Sequence, residues 1–209
     1  MAASRYPFFS REGWPFLLIV IAAGGAAWYY LGLVWTLPFW LLGFLILFMF
    51  RDPHRDIPAS PLAVVSPVDG RISAIERLHD PYLDRQALRV QIDMFRTGVY
   101  TARSPVEGKI LEPGSDSHAR LPPKAPHGVW IRTDEGDDLV MVMNRGPLGN
   151  APRCGVRYGE RVGQGQRCGY LHLGGRIQLY LPENARVTVN INDQVRSGRD
   201  SVGQLVRKR

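Results

Sequence analysis

The chain has 209 residues, 45% of them hydrophobic, and 26 Lys+Arg against 19 Asp+Glu for a net charge of +7, which is room for one ordinary domain plus an accessory segment. Its two cysteines, Cys154 and Cys168, exclude a disulfide-dense scaffold or a zinc cluster and read as buried, inert thiols. The basic surplus suits anionic lipid headgroups or a solvated surface; with no nucleic-acid motif beside it, nucleic acid is not expected as a partner.

From Trp14 to Phe50 run 37 residues without one formal charge. One helix of that length would measure about 55 Å, well beyond the ~30 Å hydrocarbon core of a bilayer. A hydrophobic helical hairpin over residues 1–50 fits better, with legs at Trp14–Leu31 and 40–50. Its turn is marked by Trp28, Tyr29, Tyr30, Trp35, Pro38 and Trp40, interfacial aromatics with a proline to interrupt the helix. The second leg is short, which leaves a full span and a re-entrant hairpin both open. A cleavable signal is disfavoured, because the run is too long and ends in Arg51 rather than at small residues. Arg5 and Arg11 before the hairpin and Arg51 and Arg55 after it place both ends in the cytoplasm by the positive-inside rule.

Residues 51–62, charged and proline-bearing, read as a linker. From residue 63 to 209 helical periodicity disappears, and short β-rich runs follow at 63–65, 71–76, 87–92, 98–101, 109–111, 129–133, 139–143, 177–181, 187–191 and 201–206, punctuated by Gly, Pro, Asn and Asp. That pattern predicts an all-β domain. Residues 51–209 hold 24 of the Lys+Arg and 18 of the Asp+Glu, a net of +6.

Two turns recur. Ser66-Pro67-Val68-Asp69-Gly70-Arg71-Ile72 returns as Ser104-Pro105-Val106-Glu107-Gly108-Lys109-Ile110, and the stretch from Tyr158 to Gln166 is echoed from Ile191 to Arg199. Each copy places a turn before a β-branched residue that re-enters the core. The duplication predicts a mainly β, pseudo-symmetric β-sandwich whose turns resemble the barrel-sandwich hybrids of biotinyl and lipoyl carriers. None of Lys109, Lys124 and Lys208 has the Met-Lys setting of a carrier arm. A phosphate loop, a His/Cys metal cluster and a nucleophile elbow are also missing from the sequence. The aperiodic stretch 112–127 reads as a surface loop or a flap, in which Arg120 and Lys124 are candidate contacts to lipid phosphate.

In Tyr170-Leu171-His172-Leu173-Gly174-Gly175-Arg176-Ile177-Gln178-Leu179-Tyr180-Leu181-Pro182 two extended segments meet at a glycine pair, a pattern that marks a bend or a close approach. Taken with Phe50-Arg51-Asp52-Pro53, the Ser66–Gly70 turn, Arg103-Ser104-Pro105-Val106-Glu107-Gly108 and Leu121-Pro122-Pro123-Lys124-Ala125, this stretch resembles the short bacterial and archaeal phosphatidylserine decarboxylases over nearly the whole chain.

The resemblance implies a self-cleaving proenzyme of the bacterial inner membrane, its globular part cytosolic. A serine becomes a pyruvoyl group, which supplies the electron sink for converting phosphatidylserine to phosphatidylethanolamine. It implies an aspartate in the Pro-x-Asp-Gly turn and an Asp-x-His pair. Asp69 keeps the first position, but Gly98 and Tyr100 stand at the pair and Gly175 at the serine. Glycine has neither Oγ nor Cβ, so no pyruvoyl cofactor is expected at 175. Two readings follow: an uncleaved, membrane-anchored pseudoenzyme that binds phospholipid or a partner protein, or an active decarboxylase with a non-standard site. An exposed apolar hairpin beside a β domain also suits a homodimer.

Overall fold

The computed structural model describes residues 9, 13–53, 55–58, 60, 62–96, 99–111, 127–147, 149 and 151–206. The chain divides into two compact units, Met1–His54 and Arg55–Arg209. Arg120, Lys124 and Gly98 lie outside the described residues.

In the first unit α1 (Trp14–Leu31) ends at Gly32, whose φ of 88° no helix accommodates, and a 3₁₀ turn (Leu33–Thr36) leads into α2 (Leu37–Met49). The first leg falls where the sequence predicts it. The second begins before residue 40 because Pro38 occupies the first turn of α2, where its missing N–H has no helical partner to lose. α1 is long and apolar enough to cross a membrane. At 13 residues α2 measures about 20 Å. Trp28, Tyr29, Tyr30, Trp35 and Trp40 are all exposed.

The second unit is mainly β, as expected. Its strands are β1 (Ala63–Val65), β2 (Gly70–Asp80), β3 (Arg85–Met94), β4 (Thr101–Arg103), β5 (Gly108–Leu111), β6 (His127–Arg132), β7 (Asp138–Arg145), β8 (Arg153–Cys154), β9 (Arg161–Val162), β10 (Arg167–Tyr170), β11 (Gly175–Pro182), β12 (Arg186–Val187), β13 (Gln194–Val195) and β14 (Ser201–Gln204). They form an eight-stranded antiparallel sheet in the order β13-β2-β3-β11-β7-β6-β5-β9 and two three-stranded sheets, β1-β14-β12 and β4-β10-β8. The predicted strand at 187–191 shrinks to Arg186–Val187, because Asn190, Asn192 and Asp193 turn the chain. Asn192 sits at φ 75° and the Asp193 carboxylate accepts from the Asn190 N–H at 2.7 Å.

The sequence repeats become a pseudo-twofold pattern of hydrogen bonds. Ser66 Oγ donates to the Val68 carbonyl at 2.8 Å and Ser104 Oγ to that of Val106 at 2.7 Å. The turns also bind each other reciprocally, Val65 N–H to Pro105 O at 2.9 Å and Arg103 N–H to Pro67 O at 2.8 Å. In the second repeat Gly159 and Asn192 hold φ 82° and 75°, while Gly165 and Gly198 hold 71° and 69°. The eight-stranded order is palindromic under the same exchange, β13 for β9, β2 for β5, β3 for β6 and β11 for β7.

At the middle of that sheet β11 is buried on both faces. Ile177, Leu179 and Leu181 are fully buried on one, and Tyr180 joins Tyr82, Ala87, Trp130, Val140 and Val142 on the other. Each such side chain stabilises the fold by about 1.5–3 kcal/mol of transfer free energy, which makes β11 a rigid base for whatever sits at its N-terminal end.

Candidate functional site

Gly175 is the first residue of β11, and the turn before it carries the chain from the small β4-β10-β8 sheet into the large one. The bend and the close approach read from the glycine pair are both present. Leu173 and Gly174 both take positive φ, 57° and 84°. The conformation is easy for the glycine, whereas the leucine stores strain of about 1–3 kcal/mol.

Gly175 is glycine for a different reason. A Cβ there would lie 2.5 Å from the Asn144 carbonyl oxygen, 2.8 Å from Leu171 Cδ2 and 3.4 Å from the Gly146 nitrogen. The loop that follows β7 is pressed backbone to backbone against the turn, with the Gly146 N–H donating to Gly174 O at 3.3 Å. A Cβ on Gly149 would lie 2.6 Å from the His172 carbonyl. The space a side chain at 175 requires is filled by main chain.

Tyr100 is buried, with 2% exposure, and its hydroxyl donates to the Arg96 carbonyl at 2.7 Å. Its ring centroid lies 5.7 Å from that of His172 and 6.2 Å from that of Tyr170. Burial pushes the Tyr100 phenol up, and burial followed by the nearby Arg153 charge pushes the His172 imidazole down, so both rings favour their neutral forms. Asp69 is tied into the framework. Arg55 Nη2 lies 2.7 Å from Oδ2 and the Ser197 N–H donates to Oδ1 at 2.7 Å. The structure therefore brings Tyr100 into an aromatic group with His172, next to the turn that carries Gly175, and gives Asp69 a structural tie to the Ser197 turn.

A cleft of about 690 Å³ opens at the glycine pair. Among its lining residues are Asp93, Arg96, Asn144, Arg145, Gly175 and Arg176. Arg176 Nε is paired with Asp93 Oδ1 at 2.7 Å. Sequence reasoning missed Asp93, Arg96 and Arg145. The available signal was their position at or just past the ends of two predicted strands that flank the glycine-rich one, which becomes informative only once β3-β11-β7 is known to be the order.

Residues 42–203 match the family model described as phosphatidylserine decarboxylase. The chain belongs to the phosphatidylserine decarboxylase family. Among its curated relatives is the phosphatidylserine decarboxylase proenzyme of Nitrosomonas eutropha, 40% identical over 207 residues that cover 94% of this chain and 96% of the relative. The protein of the same description from Burkholderia multivorans is 37% identical over 215 residues, with 96% and 97% coverage. Among solved structures, glucose permease IIA from Mycoplasma capricolum aligns at a TM-score of 0.44 with 18% identity, covering 68% of this chain and 94% of that chain, a likeness too slight to build on. At 175 the glycine offers no hydroxyl, and a Cβ there would lie within 2.5 Å of the Asn144 carbonyl oxygen.

Proposed function

We propose that this family member is an unprocessed, phospholipid-binding protein of the bacterial inner membrane, held there by the α1-α2 hairpin with its β unit on the cytosolic side. The observation that carries the reading is the 2.5 Å separation between a Cβ at 175 and the Asn144 carbonyl. Self-cleavage of the kind the family resemblance implies needs a serine Oγ at this position, and pyruvoyl formation needs its Cβ. Here neither atom is present and the backbone has closed over the space. The buried, neutral Tyr100 at the position of the family's histidine supports the same reading, as does the engagement of both Asp69 oxygens in the fold. An apolar helix of 18 residues with exposed interfacial aromatics and a basic β unit support the membrane half.

The test is intact-mass spectrometry of full-length protein purified from the membrane fraction of a bacterial host. One species near 23.5 kDa is expected. Two fragments, the smaller with a ketone at its N-terminus, would overturn the proposal, and recovery wholly from the soluble fraction would overturn its membrane half.

A further inference from the structure

Three guanidinium groups and one carboxylate line the cleft at Gly174-Gly175, an excess of two positive charges. Asp93 satisfies Arg176. Arg96 and Arg145 have no ion-pair or hydrogen-bond partner for their side chains among the described residues. Bringing like charges to one concave site costs free energy unless an anion joins them. Around them the wall is formed by Gly146, Gly174 and Gly175, the amides of Asn144 and Gln178, and the apolar Met94, Pro147 and Leu173, a lining that adds no further formal charge to the arginines and Asp93. Leu173, strained at φ 57°, stands on the rim; such outliers persist where the surroundings hold them, ligand sites among them.

We propose that this cleft is a receptor for a dianionic phosphate monoester, gripped by Arg96 and Arg145 while the Asp93 pair keeps Arg176 in place. Guanidinium matches phosphate through paired, charge-assisted N–H donors. The charge count selects the monoester: it carries about −1.5 to −2 at neutral pH, against one negative charge on a phosphodiester, and the cleft offers two positive charges in excess. The inference rests on the binding half of the proposed function and narrows it to headgroups that end in phosphate, supplied either by a lipid of the phosphatidic acid type or by a soluble phosphomonoester.

The experiment is calorimetric titration of the full-length chain in uncharged detergent micelles with dihexanoyl phosphatidic acid, dihexanoyl phosphatidylserine and glycerol 3-phosphate. Dihexanoyl phosphatidic acid is expected to bind roughly tenfold or more tightly than the phosphatidylserine, the value of about one extra charge contact. The exposed pair Arg96→Gln/Arg145→Gln should lose that advantage, the single Arg145→Gln should lose part of it, and Arg186→Gln, on β12 away from the cleft, should keep it. Glycerol 3-phosphate binding as tightly as the lipid assigns the site to the headgroup alone; binding only of the lipid form assigns it to the membrane source. Equal affinity for the two lipids, or wild-type affinity in the double variant, overturns the inference. Because the mass measurement is independent, an intact chain that fails to distinguish the lipids removes this inference alone, whereas a cleaved chain removes the proposed function.

Discussion

The two three-stranded sheets share one plan and end differently. In one, the Leu171 N–H reaches the Tyr100 carbonyl at 2.8 Å and the Gly155 N–H reaches that of Cys168 at 2.9 Å; in the other, Leu205 N–H reaches Leu62 O at 2.8 Å and Thr188 N–H reaches Val202 O at 3.2 Å. After Leu205 comes Val206, with nothing chemical to offer. After Leu171 come His172, the strained Leu173 and the glycine pair that opens the cleft. The same plan recurs in both halves, and the cleft described above lies at the end of one of them. The acids of the two repeated turns differ in the same way: Asp69 holds Arg55 and the Ser197 N–H, while Glu107 is exposed and has no such partner among the described residues.

The largest test of that asymmetry is Gly175→Ser. Its Cβ meets backbone that moves only if the loop after β7 retreats, so we expect a loss of about 3 kcal/mol in denaturant unfolding and no self-cleavage by intact mass; full stability with two fragments would mean that the loop yields easily. Next, Asp69→Asn should cost about 1–3 kcal/mol through its half-buried bonds, whereas Glu107→Gln should stay within about 0.5 kcal/mol. Similar values for the pair would erase the contrast between the turns.

Smaller still, and sharpening the symmetry rather than breaking it, are Gly169→Ala on β10 and Gly203→Ala on β14. A Cβ at 169 lies 3.1 Å from Arg153 O, with the flexible Met143 Sδ at 2.9 Å, and one at 203 lies 3.0 Å from Arg186 O. Each should cost about 1–2 kcal/mol, and the two values should agree. The smallest effect is acid sensitivity. The His172 pKa is lowered in the folded chain, chiefly by burial, so the unfolded chain takes up its proton first as pH falls. The stability this confers is complete above about pH 6.5 and drains away as pH drops toward the folded value. His172→Val, which makes the site-bearing sheet end like its mate at Val206, should melt with a shallower decline between pH 7.5 and 5.5; an unchanged decline would place the acid sensitivity elsewhere.

What could be read in the sequence follows from how local each signal is. The hairpin was legible because an uncharged run is a one-dimensional property, and so was the pairing of Ser66 with Ser104, since each serine closes a turn on the valine two residues away. The ladder of Ile177, Leu179 and Leu181 showed in its period of two. The two-residue strands β8, β9, β12 and β13 are too short to have a period, and they exist only because their partners are held by the rest of the sheet. Asp69 stood out in its Pro-x-Asp-Gly turn, but its bond to Ser197, 128 residues along the chain, depends on the tertiary fold. Arg96 and Arg145 carry no motif; they meet because β11 lies between β3 and β7.

The tight seam between the loop after β7 and the His172–Gly175 turn also limits which substitutions this chain accepts. Gly146 and Gly149 have room for no side chain, because carbonyls of the facing turn stand where a Cβ would go, and Gly175 meets the Asn144 carbonyl in the same way. A serine introduced at 175 would arrive in a backbone with no place for its Cβ unless the facing loop shifts. Substitutions at 146, 149 or 175 therefore require the facing backbone to shift, whereas the exposed arginines that line the cleft can change without it.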